Sequence, residues 1–290
     1  MLPKEIEQFS EHLRSRNYSP QTVESYRIDL QVFFTGVATA PEAVTWRDID
    51  SFVRQQHRQE LAATTINRRL YAIKRFYDFL VVEQETLLTN PIKPSHYLRQ
   101  GQPLPKKLTP AQVRQFFAQV TDSMDRALFL LMLRCGLRVS EAAHLRLTNI
   151  DWEQQALTIE QGKGRKDRRL YVSADALASL RQCLPRRPAT VPGGYFFWNQ
   201  KRKHKPLSVK AIQKKMERYV KAAEIKASGH SLRHTFASNL LEEGAAVVSI
   251  KEFLGHGSIA ASERYAKLSD QKIKQTYLQT IRKVINKMQV

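Results

Sequence analysis

A proline- and glycine-containing stretch divides this sequence into two parts and constrains the fold more than any other feature. Residues 94–105 contain three prolines and one glycine between long segments of helical pattern. That composition is typical of an exposed connection rather than of a helix or a strand. At 290 residues, the chain also has the length of two domains of ordinary size. We therefore predict a first domain over 1–93, a linker over 94–105 and a second domain over 106–290.

The first part carries the signals of successive capped helices. Ser19 precedes Pro20, which fits a serine cap followed by proline at the first helical position, where the missing N–H costs nothing. Thr45 opens another helix, and a further segment begins at Thr64. Apolar residues recur in that segment at the spacing of a buried helix face, namely Ile66, Leu70, Ile73, Tyr77 and Leu80. The first domain is therefore predicted to be helical.

The second part combines helices with a short stretch of strand pattern. The pair Thr109–Pro110 repeats the cap-and-proline signal. Short runs typical of strands occupy 156–160 and 169–173, on either side of the basic segment 162–168, which predicts a small hairpin. Helical spacing returns from Ser208 to the end. The whole chain is therefore predicted to be mainly α with a small β-sheet, the sheet lying in a mixed α+β second domain.

The net charge narrows the choice of partner. The chain has 47 Lys and Arg against 27 Asp and Glu, a formal net charge of +20. A surplus of this size favours polyanions, because binding releases their counterions. The basic residues are spread along the chain instead of being concentrated on one amphipathic helix, which favours nucleic acid over a membrane surface. We therefore expect DNA or RNA as the partner.

Other features of the composition exclude several classes of protein. The longest apolar run, 127–133, is much shorter than the roughly 20 residues that a bilayer span requires. The N-terminal residues are charged and amphipathic and lack the pattern of a secretory signal. The only cysteines, Cys135 and Cys183, lie in apolar helical contexts, which indicates buried thiols in a reducing compartment. We expect a soluble, cytoplasmic protein without a disulfide framework or a cysteine zinc site.

Two segments early in the second domain present a cation next to a glycine. In Gly136-Leu-Arg138-Val-Ser-Glu141, a glycine that ends one helix is followed by an arginine and by the start of a new helix. Lys163 lies in a Gly-Lys-Gly turn that lacks the spacing of a phosphate-binding P-loop. Taken alone, such an arginine is more often a surface or ion-paired residue, and such a lysine is more often solvated.

A third segment combines two histidines with an arginine. Ser231 is placed to cap a helix, so that backbone N–H groups and Arg233 can face an anion together. His230 and His234 are four residues apart, as in zinc-binding helices, but serine stands where such helices have glutamate. We therefore expect no metal site here.

The fourth segment is Leu254-Gly-His256, which is followed nine residues later by Tyr265. A tyrosine in this amphipathic context is by default a packing residue. None of the four segments identifies a function when it is taken alone.

Together, however, these segments resemble the tyrosine recombinases, the family of phage integrases and Xer-like enzymes. The motifs Gly-Leu-Arg-x-Ser-Glu, Gly-Lys-Gly, His-x-Leu-Arg-His-Thr-Phe-Ala and Leu-Gly-His, and the downstream tyrosine, occur in the order and approximate spacing of that family. Residues 19–27 and 65–70 resemble the family's helical, SAM-like core-binding domain. The resemblance implies a DNA-binding domain over 1–93 and, over 106–290, a catalytic domain that ends in a tail helix.

The resemblance also implies a role for each site residue. Tyr265 would attack a DNA phosphate and form a 3′-phosphotyrosyl bond, with no metal, ATP or other cofactor. His230 would take or share the tyrosine proton, and Lys163 would protonate the leaving 5′-oxygen. The two arginines and His256 would bind the non-bridging oxygens, while Glu141 would orient the imidazole and balance the arginines. The implied catalytic set is Arg138, Lys163, His230, Arg233, His256 and Tyr265, with Glu141 in support.

The partners implied by the resemblance are double-stranded DNA with a specific recombination site and further copies of the chain. Four protomers would act on two duplexes. The segment 271–290, with five Lys or Arg and no Asp or Glu, would be exchanged with a neighbouring protomer, although packing on its own domain remains an alternative. An accessory factor or a second recombinase is a further partner that the family allows. No membrane is expected.

Several functional alternatives remain open at this point. High basicity and the lack of an added arm-binding domain favour the integrase or resolvase of a mobile element over an Xer-type chromosome dimer resolvase. A type IB topoisomerase would use similar residues without choosing a site. A non-catalytic DNA-binding protein would lack the tyrosine or an arginine, and a zinc hydrolase at His230 and His234 would need a third ligand.

Overall fold

The chain folds into two compact units, Met1–Pro103 and Leu104–Val290, each with its own apolar core. Among the described residues, no helix combines the length and apolar character that crossing a bilayer requires. The computed structural model describes residues 3–87, 89–99, 107–160, 167–202, 205–255 and 270–288.

The described part of the first unit contains four α-helices. They are α1 (Glu5–Ser15), α2 (Pro20–Val37), α3 (Trp46–Arg58) and α4 (Ala63–Val82). Oγ of Ser19 accepts the backbone N–H of Thr22 at 3.1 Å, and the carboxylate of Asp48 accepts the backbone N–H of Thr45 at 2.8 Å. Helix caps of this kind contribute about 1 kcal/mol each. They explain why α2 and α3 begin where the sequence predicted.

Helix α4 supplies the centre of the first core. The predicted apolar stripe faces inward, and its members Ile66, Leu70, Ile73, Tyr77 and Leu80 are all buried. Aromatic rings from the other helices surround the stripe, among them Phe9, Phe33 and Phe52. Burying one large apolar side chain stabilises a fold by about 1.5–3 kcal/mol, so this face holds the four helices together.

The first unit continues past Pro94, where the sequence placed the start of the linker. A 3-10 turn spans Pro94–His96, and the His96 side chain is buried. The amide of Asn67 in α4 donates to the Leu98 carbonyl at 2.8 Å and accepts the Leu98 N–H at 2.9 Å. One side chain therefore satisfies both backbone groups of a residue that composition alone assigned to an exposed connection.

The described part of the second unit contains eight α-helices and a three-stranded antiparallel sheet of order β1-β2-β3. The helices are α5 (Pro110–Gln119), α6 (Ser123–Arg134), α7 (Val139–Ala143), α8 (Ala174–Cys183), α9 (Val209–Ala222), α10 (Gly229–Glu242), α11 (Val247–Leu254) and α12 (Asp270–Met288). The strands are β1 (Ile150–Asp151), β2 (Ala156–Ile159) and β3 (Arg168–Tyr171). The mainly α fold and the hairpin of β2 and β3 are as predicted. Strand β1 was not predicted because two residues show no alternation.

Helix α6 runs through the middle of the second core. Residues 127–133 are buried on every side, which explains why this run is apolar throughout instead of amphipathic. Helices α8 and α10 pack against it. Cys135 and Cys183 are both buried free thiols, as predicted.

Helix α12 packs on its own unit in this single chain. Its residues Tyr277, Ile281, Val284 and Met288 belong to the second core. Arg134 lies fully buried beneath the helix, and its carbonyl accepts the Tyr277 hydroxyl at 3.0 Å.

The guanidinium of Arg134 is incompletely satisfied in this position. Its Nε donates to Asp175 at 2.9 Å, and its Nη1 lies 3.7 Å from the Met288 sulfur. Its Nη2 has no hydrogen-bond partner among the described residues. The surface on which α12 packs, called here the seat of α12, therefore combines apolar side chains with one buried charge.

Candidate active site

The turn between α6 and α7 positions the first of the predicted site residues. Gly136 has φ of +65°, and a Cβ at this position would lie 2.5 Å from a ring carbon of Phe236, so glycine is required here. Arg138 follows as the N-cap residue of α7, and its backbone N–H donates to Glu141 at 2.7 Å. Nη1 of Arg138 donates to the other carboxylate oxygen at 2.6 Å. The start of α7 therefore fixes Glu141 beside the arginine.

The first turn of α10 lies against the first turn of α7. A Cβ on Gly229 would lie only 2.6 Å from Cγ2 of Val139, which shows how closely the two helices approach. Oγ of Ser228 accepts the N–H of Ser231 at 3.3 Å, and Oγ of Ser231 accepts the N–H of Ser228 at 3.0 Å. The prediction that Ser231 caps the helix was wrong, because α10 begins at Gly229 and Ser228 is the cap. His230 therefore lies within the first turn.

Glu141 lies at the centre of a cluster of three arginines, Arg138, Arg168 and Arg233. Nη1 and Nη2 of Arg168 donate to its two oxygens at 2.9 and 2.7 Å, and Nη1 of Arg233 lies 3.8 Å away. The side chain of Glu141 is 8% exposed, and those of the arginines are 19% exposed or less. In the part of the chain that the structure describes, one carboxylate thus meets three guanidiniums, so the positive charges of this group exceed the negative by two.

The combined effect of burial, neighbouring charges and hydrogen bonds lowers the pKa values of both Glu141 and Arg233, and both side chains stay ionised. Burial raises the pKa of Glu141, but hydrogen bonds and charge from Arg168 and bonds from Arg138 outweigh it, so the pKa lies below its ordinary value. Burial, followed by the charge of Arg138, lowers the pKa of Arg233 to about 10. Glu141 is therefore ionised and Arg233 protonated at neutral pH.

His230 lies beside His234 on α10, and the two ring centroids are 6.1 Å apart. Partial loss of water, followed by the positive charges of His234 and Arg233, lowers the pKa of His230. The neutral imidazole, which can accept a proton, is therefore the dominant form at neutral pH. Thr235 of the same motif is fully buried; its hydroxyl donates to the Ser231 carbonyl at 2.8 Å and accepts the Leu108 N–H at 2.8 Å, which are structural contacts.

Three successive carbonyls at the end of α11 each accept a hydrogen bond from a different arginine of the cluster. The C-terminal end of a helix carries partial negative charge, and it attracts cations. The three donors and acceptors are Arg168 Nε to Phe253 at 3.0 Å, Arg233 Nη2 to Leu254, and Arg138 Nη2 to Gly255 at 3.0 Å. Backbone atoms therefore orient all three guanidiniums.

Arg138 and Arg233 retain donors for a ligand. Each of the two guanidiniums donates two hydrogen bonds to described residues, one from Nη1 and one from Nη2. The Nη1 bond of Arg233 goes to the Gly136 carbonyl. A guanidinium has five N–H groups, so about three remain on each. Planar, charged donors of this kind suit phosphate oxygens.

The structure brings together four of the predicted site residues: Arg138, Glu141, His230 and Arg233. The other three, Lys163, His256 and Tyr265, lie outside the described residues. In the described ranges, no group of three or more His, Cys, Asp or Glu side chains is placed to hold a metal ion.

Known families match both units of the chain. The Phage integrase family matches residues 106–272, which is more than half of the chain. The chain belongs to the phage integrase family. A second match, to the N-terminal SAM-like domain of phage integrases, covers residues 6–84. As the sequence predicted, the protein is a tyrosine-type site-specific DNA recombinase, an enzyme that breaks and rejoins DNA strands.

One relative and two solved structures are similar to the chain over most of its length. The chain is 31% identical to the tyrosine recombinase XerA of Pyrococcus furiosus over 274 residues, which cover 93% of this chain and 91% of the relative. It shares its fold with the Tn1549 transposon integrase bound to transposon right end DNA, with TM-score 0.73, 19% identity and coverage of 95% and 98% of the two chains. A lambda integrase tetramer bound to a Holliday junction gives TM-score 0.67 and 18% identity, with 90% of this chain and 76% of that chain covered.

Arg168 is the member of the recombinase's arginine cluster that the sequence analysis missed. It belongs to the basic segment 162–168, which was assigned as a whole to a turn between two strands. In the structure Arg168 is the first residue of β3, and its side chain is 10% exposed. Strand alternation contained the signal, because Arg168 and the buried Leu170 lie two residues apart and share one face of β3.

Proposed function

We propose that this recombinase cleaves one strand of a specific DNA site with Tyr265 as the nucleophile. The observation that carries the proposal is the arginine cluster, in which three guanidiniums outnumber one carboxylate next to a neutral His230. A phosphodiester carries one negative charge and gains a second as a nucleophile adds. Two unbalanced positive charges therefore match the transition state better than the ground state, which is the requirement for catalysis.

In the proposed step, the bond between Tyr265 Oη and phosphorus forms while the bond between phosphorus and the 5′-oxygen breaks. His230 accepts the phenol proton, and Lys163 gives a proton to the leaving oxygen. The products are a 3′-phosphotyrosine and a free 5′-hydroxyl. Because the phosphotyrosine retains the bond energy, a second 5′-hydroxyl can reverse the step and rejoin the strand without ATP.

The cations act on the non-bridging oxygens in this proposal. Arg138 and Arg233 each have N–H groups left after their contacts with described residues, and His256 is assigned as a further donor. Glu141 balances part of the charge and keeps the guanidiniums in place. A fixed set of donors needs no rearrangement during the reaction, and such preorganised charge is commonly the largest single contribution to a rate.

For the assembly, we infer four protomers on two DNA duplexes, with the first unit also contacting DNA. The lambda integrase tetramer on a Holliday junction and the match to a SAM-like integrase domain support this inference. Exchange of α12 between protomers is part of the proposal, because a neighbour's seat has the same sequence as the seat that α12 occupies here. An accessory factor or a second recombinase, and action in the cytoplasm, stay predictions.

Different observations favour two different biological roles. The basicity of the chain favours the integrase or resolvase of a mobile element, and the fold shared with a transposon integrase is compatible with that role. The 31% identity to a recombinase named XerA, over nearly the whole length of both chains, favours the Xer-type chromosome dimer resolvase. The position of the cleaved site in the source genome distinguishes the two roles.

The test is to trap and map the covalent intermediate. The full chain is mixed with sheared DNA from its source without metal or ATP, quenched with SDS, and the DNA ends attached to protein are sequenced. We expect one recurrent site joined through 3′ ends, lost in Tyr265→Phe and kept in Tyr71→Phe, which removes an exposed hydroxyl elsewhere. A site at the ends of an inserted element supports the first role, and a single chromosomal site supports the second. An adduct that persists in Tyr265→Phe refutes Tyr265 as the nucleophile.

A further inference from the structure

The side chain of Arg168 is committed to protein atoms at all three of its nitrogens. Its two Nη atoms donate hydrogen bonds to the two carboxylate oxygens of Glu141, and its Nε donates to the Phe253 carbonyl at 3.0 Å. Arg138 and Arg233 differ, because the contacts with described residues leave their Nε atoms unused. Arg168 is therefore arranged to hold other groups, whereas the other two arginines are arranged to receive a ligand.

Arg168 connects strand β3 to two helices, α7 and α11. It starts β3, the strand that follows the segment containing Lys163, and it contacts both the start of α7, through Glu141, and the end of α11, through Phe253. Glu141 in turn holds Nη1 of Arg138, and the next two carbonyls of α11 hold Arg233 and Arg138. A displacement of Arg168 would therefore loosen Glu141, which anchors Arg138, and the end of α11, whose following carbonyls anchor Arg233 and Arg138.

Gly255 shows how closely the end of α11 fits around this side chain. Its φ is +59°, a conformation that favours glycine, and a Cβ there would lie 2.9 Å from Nη1 of Arg168. The residue that follows in the sequence is His256. The chain thus turns out of α11 directly over the guanidinium of Arg168.

We propose that Arg168 is a positioning residue for strand cleavage: it fixes Glu141 and the carbonyl end of α11 so that Arg138 and Arg233 hold the scissile phosphate. This role rests on the proposed function. Lysine at this position would keep the charge that balances Glu141, but its single nitrogen would not hold two carboxylate oxygens and the Phe253 carbonyl together. The geometry of the guanidinium, beyond its charge, is therefore the property that the reaction uses.

The test compares Arg168→Lys with Arg169→Lys in the full chain. Arg169 is the adjacent residue of β3, and it is 42% exposed and paired with Asp151 at the surface. Single-turnover cleavage is measured at saturating concentrations of a nicked duplex that carries the mapped site, together with DNA affinity and the midpoint of thermal unfolding. We expect Arg168→Lys to slow cleavage roughly 10- to 100-fold, by analogy with the loss of groups that orient metal ligands, with DNA affinity and the unfolding midpoint little changed.

A second measurement does not depend on cleavage. The Nε–H signals of Arg138 and Arg233 are followed by nuclear magnetic resonance and assigned with Arg138→Lys and Arg233→Lys. Arg168→Lys should shift or broaden both signals, whereas Arg169→Lys should leave them in place. If Arg168→Lys does not fold, Arg168→Gln is used for the same two measurements.

The outcomes separate this proposal from the proposed function. Slower cleavage together with shifted arginine signals supports positioning by Arg168. Unchanged cleavage and unchanged signals overturn it, and so does a loss of cleavage that is matched by equal losses of DNA affinity and thermal stability. If the wild-type chain forms no adduct, the proposed function fails, and the arginine signals alone still decide whether Arg168 holds its neighbours.

Discussion

Asp125 and Glu141 are both buried carboxylates of the second unit, and each meets several cations, but the positive charge around them is distributed differently. Around Asp125, Nζ of Lys215 lies 2.8 and 2.9 Å from the two oxygens, and Arg218, which is 63% exposed, lies 3.5 Å away. The Tyr219 hydroxyl donates to the same carboxylate at 2.8 Å. The charge of Arg218 is therefore shared with water, and little excess remains inside the protein.

Around Glu141, by contrast, all three guanidiniums are largely shielded from water, so the excess positive charge stays within the site. The Asp125 group ties α6 to α9 and has the character of a structural network. In the arginine cluster, hydrogen bonds to backbone carbonyls offset part of the free-energy cost of burying the excess charge. The cations of the two groups differ clearly in their exposure to water, and we therefore expect an anion to bind at the arginine cluster and not at the Asp125 group.

Removing one positive charge from the arginine cluster and one from the Asp125 group should give the largest difference in cleavage rate. Arg233→Gln should slow cleavage at saturating DNA by roughly 100- to 1000-fold, because a donor to the developing charge is lost. The matched change Arg218→Gln should leave the rate unchanged, since that charge already lies in water. Single-turnover accumulation of the trapped adduct measures both. Equal losses would show that the Asp125 group also serves the reaction.

Removing the two carboxylates should again slow cleavage only at the arginine cluster, and at Asp125 it should instead lower stability. Asp125→Asn should lower the free energy of unfolding by about 2 kcal/mol, because Lys215 and Tyr219 lose a charged acceptor, while cleavage by the folded protein should stay the same. Urea unfolding and single-turnover cleavage measure the two effects. Glu141→Gln is the control and should slow cleavage. If Asp125→Asn slows cleavage as much as Glu141→Gln does, the Asp125 group is not purely structural.

The lowered pKa of Glu141 predicts how its stabilising effect varies with pH. The unfolded chain takes up the proton near the ordinary value of 4.5, whereas the folded chain resists protonation to lower pH. The contribution of ionised Glu141 should therefore be complete above about pH 4.5 and disappear as the pH falls through the folded value. The difference in unfolding free energy between wild type and Glu141→Gln, measured between about pH 6 and pH 3, should shrink in acid. A constant difference would mean that the folded carboxyl does not resist protonation.

The smallest expected effect concerns His230. His234→Gln removes a charge that lowers the pKa of His230, so that pKa should rise. The acid limb of the pH–rate profile, where the rate falls because His230 becomes protonated, should then move to higher pH. The rate is followed between about pH 5 and pH 8, with His57→Gln in the first unit as control. An unmoved limb would exclude His230 as the group that titrates.

The features that sequence predicts well are local ones. The caps at Ser19, Thr45 and Thr109 and the stripe on α4 depend on residues within a turn or two of one another, and the structure has them where the patterns indicated. The family motif pointed to Arg138 and Arg233 because it records residue types directly, and their roles in the reaction stay predictions.

The features that sequence missed depend on contacts between distant parts of the chain. The turn predicted over 162–168 includes Arg168, and no residue pattern indicates that its side chain faces Glu141, 27 residues earlier. The carbonyls of α11 have no signature in any side chain, so their bonds to the arginines were unpredictable. Ser231 was misplaced because Ser228, three residues earlier, competes for the same capping position.

The buried Arg134 changes the energetics of the C-terminal helix. A helix on a purely apolar seat would lose all of its burial energy on leaving. Here departure would also let water reach a guanidinium nitrogen that has no hydrogen-bond partner among the described residues and another that reaches only a thioether. Hydration of that guanidinium would offset part of the lost apolar contact. Undocking of α12 is therefore less unfavourable than its buried area alone would imply.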